Sequence, residues 1–152
     1  MKSIGVRTQP EQYAYVIMEG TQAAPIVVVK GISKCPKGST IPEKLKWARQ
    51  DVQELLTRDA VAVARIKTVE GNARTKDPKR LQLEGVIVEG IASHPCQPQT
   101  QLLVTSQIKS ATGFKNLARY MASLLNMETL QEVSTAAYED AALAALAGLP
   151  KA

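Results

Sequence analysis

The chain has 152 residues, enough for one core that buries about 70% of the surface exposed by the unfolded chain. Apolar residues make up 45% of the chain and aromatic residues only 4%, which favours a sheet covered by helices, and no apolar run approaches the ~20 residues that span a bilayer. Nineteen basic residues against 14 acidic ones give a net charge of +5, which favours contact with polyanions only where the basic residues cluster.

The first third of the chain predicts three strands and a helix. Residues 3–7 and 13–18 are typical of a hairpin joined by a polar turn, and the β-branched run at residues 26–29 predicts a third strand. Residues 40–43, Thr-Ile-Pro-Glu, match a capping box with an early proline. Apolar residues then recur at steps of three and four to about Thr57, which predicts an amphipathic helix.

The rest of the chain alternates strands and helices. An unbroken apolar run at residues 60–64, extended through residue 67, predicts a central strand covered on both faces. Apolar spacing predicts a second helix over residues 83–91, and residues 102–104 form a short predicted strand. Two more helices are predicted, at residues 114–125 and at residues 130–144 before Gly148 and Pro150. The predicted fold is α/β, a mixed five-stranded sheet in one domain over residues 1–152.

The cysteines and the first residues bear on location and metal content. Cys35 and Cys96 lie beside prolines and form no paired motif, which favours reduced thiols. No apolar segment with a cleavage site follows Met1, so no signal peptide is predicted. We therefore expect a cytoplasmic protein. His94 and Cys96 supply too few ligands for zinc, and no metal site is predicted there.

Several short segments, in order along nearly the whole chain, resemble the RuvC-type Holliday-junction resolvases of the ribonuclease H-like superfamily. Residues 4–9, Ile-Gly-Val-Arg-Thr-Gln, are similar to the family's first strand, Ile-Gly-Ile-Asp-Pro-Gly. Residues 108–113, Ile-Lys-Ser-Ala-Thr-Gly, resemble its basic turn, and residues 139–144, Glu-Asp-Ala-Ala-Leu-Ala, resemble its last helix. The resemblance implies a ribonuclease H-like sheet with antiparallel opening strands and helices on its faces.

The resemblance also implies that the family's catalytic site is largely lost. In that family, carboxylates from separate strands and the last helix hold two divalent metals. The matching positions here are Arg7 on the first strand, Ala64 on the fourth, and Ala137 and Asp140 on the last helix. Because a guanidinium cannot ligate Mg²⁺, we expect a catalytically silent domain without a cofactor. We further predict that Arg7 pairs with Asp140 in place of a metal.

A basic cluster predicts contact with DNA or RNA, since phosphate contacts need clustered Lys and Arg and bind regardless of base sequence. Its residues, on the fourth strand and the loop after it, are Arg65, Lys67, Arg74, Lys76, Lys79 and Arg80. Lys109 and Lys115 flank Gly113 at a predicted helix start, where free backbone N–H groups can hold a phosphate. The leading interpretation is a silent resolvase-like domain that binds nucleic acid or a protein partner.

Two alternatives stay open. One is a metal-dependent nuclease in which Asp140 holds Mg²⁺ or Mn²⁺ together with relocated ligands, Glu139 or Glu70. The other is a regulatory protein-interaction module whose basic loop has no role with nucleic acid. The Ala-rich stretch at residues 136–147 permits close helix packing in a homodimer, although such helices usually cover their own sheet.

Overall fold

The structure, a computed structural model, describes residues 1–113 and 135–152. The described elements are β1 (Lys2–Gln9), β2 (Gln12–Gly20), β3 (Pro25–Lys34), α1 (Ile41–Arg58), β4 (Val63–Lys67), α2 (Pro78–Ala92), β5 (Gln99–Leu103), α3 (Thr105–Thr112) and α4 (Thr135–Ala147). The helix predicted at residues 114–125 and the first residues of the predicted last helix, 130–134, lie outside the described residues. None of the described helices is long and apolar enough to cross a membrane.

One mixed sheet holds all five strands, in the order β3-β2-β1-β4-β5. The two residues between β1 and β2 close an antiparallel hairpin, and β3 continues it antiparallel to β2. On the other side of β1, strands β4 and β5 run parallel to it and to each other. The predicted mixed sheet with an antiparallel opening is confirmed.

Helices α1 and α2 cover one face of the sheet. Helix α1 begins at the predicted capping box, in which Thr40 Oγ1 accepts from the Glu43 backbone N–H and the Glu43 carboxylate accepts from the Thr40 N–H. Its apolar stripe joins a core with α2 and with alternate residues of β1 and β4. The largest members of this core are Tyr13, Ile4, Ile17, Leu56, Ile66, Leu83, Ile87 and Ile91.

Helices α3 and α4 cover the opposite face. A Cβ on Gly5 would lie 1.8 Å from the Ala141 carbonyl oxygen and 2.3 Å from the Ala145 backbone nitrogen. The backbone of α4 therefore touches β1 directly, which requires a glycine on the strand and small residues on the helix. Within the described part of the chain, the Ala-rich face of α4 covers its own sheet.

Several strand and helix boundaries and one whole helix differ from the sequence predictions. Strand β4 begins at Val63, because Ala60 and Ala62 are exposed before the sheet pairing starts. Strand β5 begins at Gln99, and most of its residues are exposed, so it lacks the apolar signature of a buried strand. Helix α3 was not predicted, because only Ile108 and Thr112 are buried in its eight residues.

Candidate nucleic-acid interface and the Arg7 pocket

Arg7 lies near the end of β1 and is held by three oxygen atoms. Its Nη1 donates to the Lys67 carbonyl at 3.0 Å and to the Thr68 carbonyl at 3.2 Å, at the end of β4. Its Nε lies 3.3 Å from Asp140 Oδ2 on α4, and both side chains are mostly buried, 19% and 32% exposed. The predicted pairing of Arg7 with Asp140 is confirmed.

The close approach of α4 to β1 places Asp140 at this point. Ala141, the next residue of α4, has its carbonyl against Gly5, two residues before Arg7 on the same strand. Since strand residues two apart share a face, Arg7 projects towards the same helix. The contact at Gly5 therefore sets the distance between the guanidinium and the carboxylate.

The structure does not bring Ala64 to this site. Ala64 pairs with Ile4 in the parallel register and lies in the core beneath α1 and α2, on the opposite face from Asp140. Arg7 lies three positions after Ile4 on the strand, so their side chains point to opposite faces. The residue of β4 that neighbours Arg7 is Lys67, whose carbonyl accepts from Arg7. Ala137, in contrast, lies beside Asp140 and Arg7 in the same pocket.

A pocket of about 260 Å³ opens at the end of β1, between the first turns of α2 and α4. Its charged lining residues are Arg7, Arg80 and Asp140. Burial, and then the positive charge of Arg7, lower the pKa of Arg80, while the carboxylates of Glu84 and Asp140 act in the opposite direction. The sequence pointed to Arg80 as a surface phosphate contact; in the structure it faces Arg7 across this pocket.

Glu70 caps a helix instead of standing free as a metal ligand. Its Oε1 accepts from Thr105 Oγ1 at 2.6 Å and from the Thr105 backbone N–H at 3.0 Å, at the start of α3, and from Lys67 Nζ at 3.2 Å. These bonds, those from Thr105 first, lower the pKa of Glu70 to about 2. The ionised Glu70 carboxylate therefore acts as a cap for the start of α3, which accounts for its position next to Thr105.

The described residues do not fit the two-metal centre that the resemblance implies. Asp140 is paired with a guanidinium, and Glu70 is bonded to Thr105 and Lys67. Glu139 is adjacent to Asp140 on α4, and adjacent helical side chains diverge by about 100°. Among residues 1–113 and 135–152, no three His, Cys, Asp or Glu side chains cluster where a metal ion could be held.

The predicted phosphate contacts divide into exposed and engaged residues. Arg74, Lys76 and Lys79 are exposed on the loop after β4 and the first turn of α2. Lys67 is only 5% exposed, and its Nζ donates to the Thr68 carbonyl and to Glu70, so it is not a free surface cation. Arg65 donates to the carbonyl oxygens of Ala64 and Gln99, which holds it along β4 and β5.

The helix start that Lys109 and Lys115 are predicted to flank, just after Gly113, lies outside the described residues. Lys109 lies exposed in the last turn of α3, and Gly113, with φ of 76°, ends that helix in the left-handed conformation that glycine favours. Helix C-termini carry the negative end of the dipole, so this end attracts cations rather than phosphate. Lys115 lies outside the described residues.

A second cleft extends the basic surface in a direction that the sequence reasoning missed. Its volume is about 680 Å³, and it lies at the start of α1, where the hairpin β1-β2 and the end of β3 meet the loop before the helix. Its basic lining residues are Lys34, Lys37, Lys44 and Lys79. Lys44 is paired with Glu11, at 2.8 Å. Lys79 thus joins the loop after β4 to lysines distant in sequence, which no local pattern reveals.

Comparison with solved structures shows the same fold in several resolvases. RuvC of Thermus thermophilus superposes with a TM-score of 0.76 at 15% identity, over 97% of this chain and 92% of that one. The same protein in complex with Holliday junction substrate gives a TM-score of 0.73 at 13% identity, over 97% and 91% of the two chains.

Eukaryotic and viral resolvases are also similar. The yeast mitochondrial Holliday junction resolvase Ydc2 matches at 12% identity, with a TM-score of 0.58, over 95% of this chain and 77% of that one. The Fowlpox virus resolvase in complex with Holliday junction DNA gives a TM-score of 0.55 at 12% identity, over 96% and 95% of the two chains. No protein-family profile and no curated protein sequence matches the chain. The comparisons show a ribonuclease H-like fold of the RuvC type.

Proposed function

We propose that this chain, which has the RuvC-type ribonuclease H-like fold, binds nucleic acid through the basic end of its sheet and does not cleave it with metal ions. The observation that carries the proposal is the ion pair between Arg7 and Asp140, at 3.3 Å. It places a cation on the first strand, at the position that the resemblance assigns to a metal-binding carboxylate. The basic loop after β4 lies at the same end of the sheet.

The basic surface supports the binding half of the proposal. Arg74, Lys76 and Lys79 are exposed, and Lys34 and Lys37 line the cleft that Lys79 borders. Flexible lysines and arginines of this kind neutralise phosphates and release counterions without reading bases. Structures of similar resolvases hold Holliday junction DNA, which favours a branched duplex as the ligand.

The contacts of the carboxylates that could ligate a metal support the second half of the proposal, that the chain does not cleave nucleic acid with metal ions. Asp140 binds Arg7, and Glu70 binds Thr105 and Lys67. A metal ion here would have to displace a guanidinium and would be repelled by both Arg7 and Arg80. The pairing therefore favours a site that meets phosphate with cationic side chains and not with Mg²⁺.

Binding is tested with a four-way junction, a linear DNA duplex and an RNA duplex in EDTA, at several salt concentrations. The affinity should fall steeply with salt, and each phosphate contact contributes about 0.9 to the slope of log K against log salt. The triple variant Arg74→Ala/Lys76→Ala/Lys79→Ala should weaken binding and flatten that slope. The matched control, Lys46→Ala/Arg58→Ala/Lys151→Ala, removes the same charge from exposed positions elsewhere and should change the slope less.

Cleavage is tested with the same junction in Mg²⁺ and in Mn²⁺. We expect intact substrate with both metals. Metal-dependent products that disappear in Asp140→Asn would replace the silent domain with the nuclease alternative. If no nucleic acid binds at low salt, or if the two triple variants bind with the same affinity and salt slope, the protein-interaction module is favoured instead.

A further inference from the structure

Lys44 occupies a position on α1 where the helix otherwise buries apolar side chains. The other residues that α1 buries are Ala48, Val52, Leu55 and Leu56. The Lys44 side chain is only 9% exposed, and it lies where this apolar face meets the basic cleft, the cleft of about 680 Å³ at the start of α1. An ammonium group in such a place is unfavourable unless an anion meets it. The cleft therefore needs an anion beside Lys44.

Glu11 supplies that anion from a turn. Its Oε1 accepts from Lys44 Nζ at 2.8 Å. Glu11 lies in the two-residue turn between β1 and β2, and its side chain is 62% exposed. The backbone of the turn has its own anchor, because the Glu11 carbonyl accepts from the Cys35 N–H at 2.9 Å. The carboxylate can therefore leave Lys44 while the turn stays in place, and another anion can replace it.

The charges of the basic cleft indicate what kind of anion can replace Glu11. Lys34, Lys37 and Lys79 line the cleft and are exposed, so with Lys44 the described lining has four lysines against one glutamate. The start of α1 also lines the cleft, and the positive end of its dipole adds to the attraction for anions. Several separate positive charges favour an extended anion with several negative charges over one carboxylate.

We propose that the Glu11 carboxylate holds the place of a phosphate, and that a phosphate group of a nucleic-acid backbone displaces it and binds the Lys44 ammonium group. A single phosphodiester carries the same charge as the carboxylate. The neighbouring phosphates make the exchange favourable, because they meet Lys34, Lys37 and Lys79 and release counterions. The inference rests on the proposed function for the source of the phosphate.

The first test asks whether phosphate replaces a missing Glu11 carboxylate. Glu11→Gln removes the charge beside Lys44, so the melting temperature in chloride should fall by about 2–4 °C. Inorganic phosphate, which carries about two negative charges at neutral pH, should restore most of that loss at equal ionic strength. Acetate should restore much less. Acetate that restores as much as phosphate would overturn the assignment of the site to phosphate.

Two further variants separate this site from general electrostatics. Glu54→Gln removes an equal charge at an exposed position of α1, and its gain in melting temperature from phosphate should equal that of the wild type. Glu11→Gln/Lys44→Met keeps the net charge of the wild type and removes both partners, so its gain from phosphate should be smaller than the wild-type gain. The double variant decides the case even where Glu11→Gln fails to fold. Equal gains in all four proteins would overturn the proposal and leave Glu11 and Lys44 as a structural ion pair.

The second test uses the four-way junction in EDTA. The slope of log K against log salt should be larger for the wild type than for Glu11→Gln/Lys44→Met by about 0.9, the contribution of one phosphate contact. Equal slopes, with a phosphate gain that depends on Lys44, would uphold the anion site and overturn its assignment to a nucleic-acid backbone. The same phosphate gain without any binding of DNA or RNA would reject the proposed function itself, so the two failures are distinguishable.

Discussion

Arg7 shows how one side chain can hold together the end of a sheet. Its guanidinium joins β1 to the end of β4 through two carbonyls and to α4 through Asp140. A partly buried guanidinium is tolerated because its Nη1 and Nε both meet oxygen atoms. The pair with Asp140 still lies near solvent, so its contribution to stability is modest.

A double-mutant cycle measures that pair. Arg7→Gln and Asp140→Asn, singly and together, should give a coupling energy of about 1 kcal/mol in urea unfolding, as expected for a pair that solvent still reaches. The control cycle joins Arg7→Gln with Glu139→Gln, the adjacent carboxylate on α4, and should give a much smaller coupling. Equal coupling energies in the two cycles would mean that Asp140 acts on Arg7 only through long-range electrostatics and not through a specific ion pair.

Glu70 predicts a pH dependence of stability. Its ionised form is stabilised by Thr105 and Lys67, and its pKa falls from the ordinary 4.5 to about 2. A depressed carboxyl pKa stabilises the fold above about pH 4.5, and that contribution is lost as the pH falls towards about 2. Glu70→Gln should therefore cost about 1 kcal/mol at neutral pH, because its side chain is 41% exposed.

The measurement is urea unfolding at pH 7 and at steps down to pH 2.5. The difference between wild type and Glu70→Gln should shrink as the pH falls. Glu54→Gln, at an exposed position of α1, should follow the wild type throughout. A constant difference at every pH would show that Glu70 acts through its shape and not through its charge.

At the level of elements, the contact between β1 and α4 determines where the pocket forms. Gly5 allows the helix backbone to reach the strand, and Gly148 allows the chain after α4 to pass Ser3, whose Oγ would lie 2.3 Å from an added Cβ. With α4 fixed at these two points, Asp140 faces Arg7. The small residues of α4 thus have a structural role inside one chain.

Gly5→Ala tests this contact. The added methyl would overlap the Ala141 carbonyl, so α4 must move away, and the free energy of unfolding should fall by about 3 kcal/mol or more. Gly85→Ala is the matched control, since an added Cβ on this α2 glycine meets nothing within 4 Å. That control should raise stability by about 0.5–1 kcal/mol through helix propensity. Equal, small effects of the two changes in urea unfolding would contradict the close contact.

The sequence predicted those elements whose local signals agree with their packing. The capping box predicted the start of α1, and the polar stretch at residues 8–12 predicted the hairpin, because both are local features. The turn itself is shorter in the structure, with only residues 10 and 11 between the strands. Strand β5 and helix α3 were missed or misplaced, because an exposed edge strand and a short helix with two buried residues carry no clear periodicity.

The candidate site was partly predictable for the same reason. The Arg7–Asp140 pair followed from matching two ordered segments, and the structure confirms it. Ala64 was assigned through the resemblance to the family's fourth strand, whereas the parallel register places it opposite Ile4, on the other face of the sheet. The cleft lysines carry no signal of their own, because only the tertiary fold brings them to Lys79.

At the scale of the whole molecule, one sheet separates two apolar layers. Helices α1 and α2 pack on one face and α3 and α4 on the other, and β1 lies at the centre of both. The helices of each layer pack against the same sheet, so neither layer is expected to fold alone. The pocket and the basic cleft lie where strand ends, helix starts and loops from both layers meet.

This arrangement predicts that a destabilising substitution in one layer also lowers the unfolding midpoint of the other. Trp47, the chain's only tryptophan, packs in the layer of α1 and α2, with its ring centroid 6.1 Å from that of Tyr13. Leu146 is fully buried in the layer of α4. Leu146→Ala should cost about 2–5 kcal/mol and lower the urea midpoint reported by Trp47 fluorescence as much as the midpoint reported by far-ultraviolet circular dichroism. The control is Leu102→Ala, at a 42% exposed position of β5, which should shift both midpoints only slightly. If Leu146→Ala left the urea midpoint reported by Trp47 unchanged, the two layers would unfold independently.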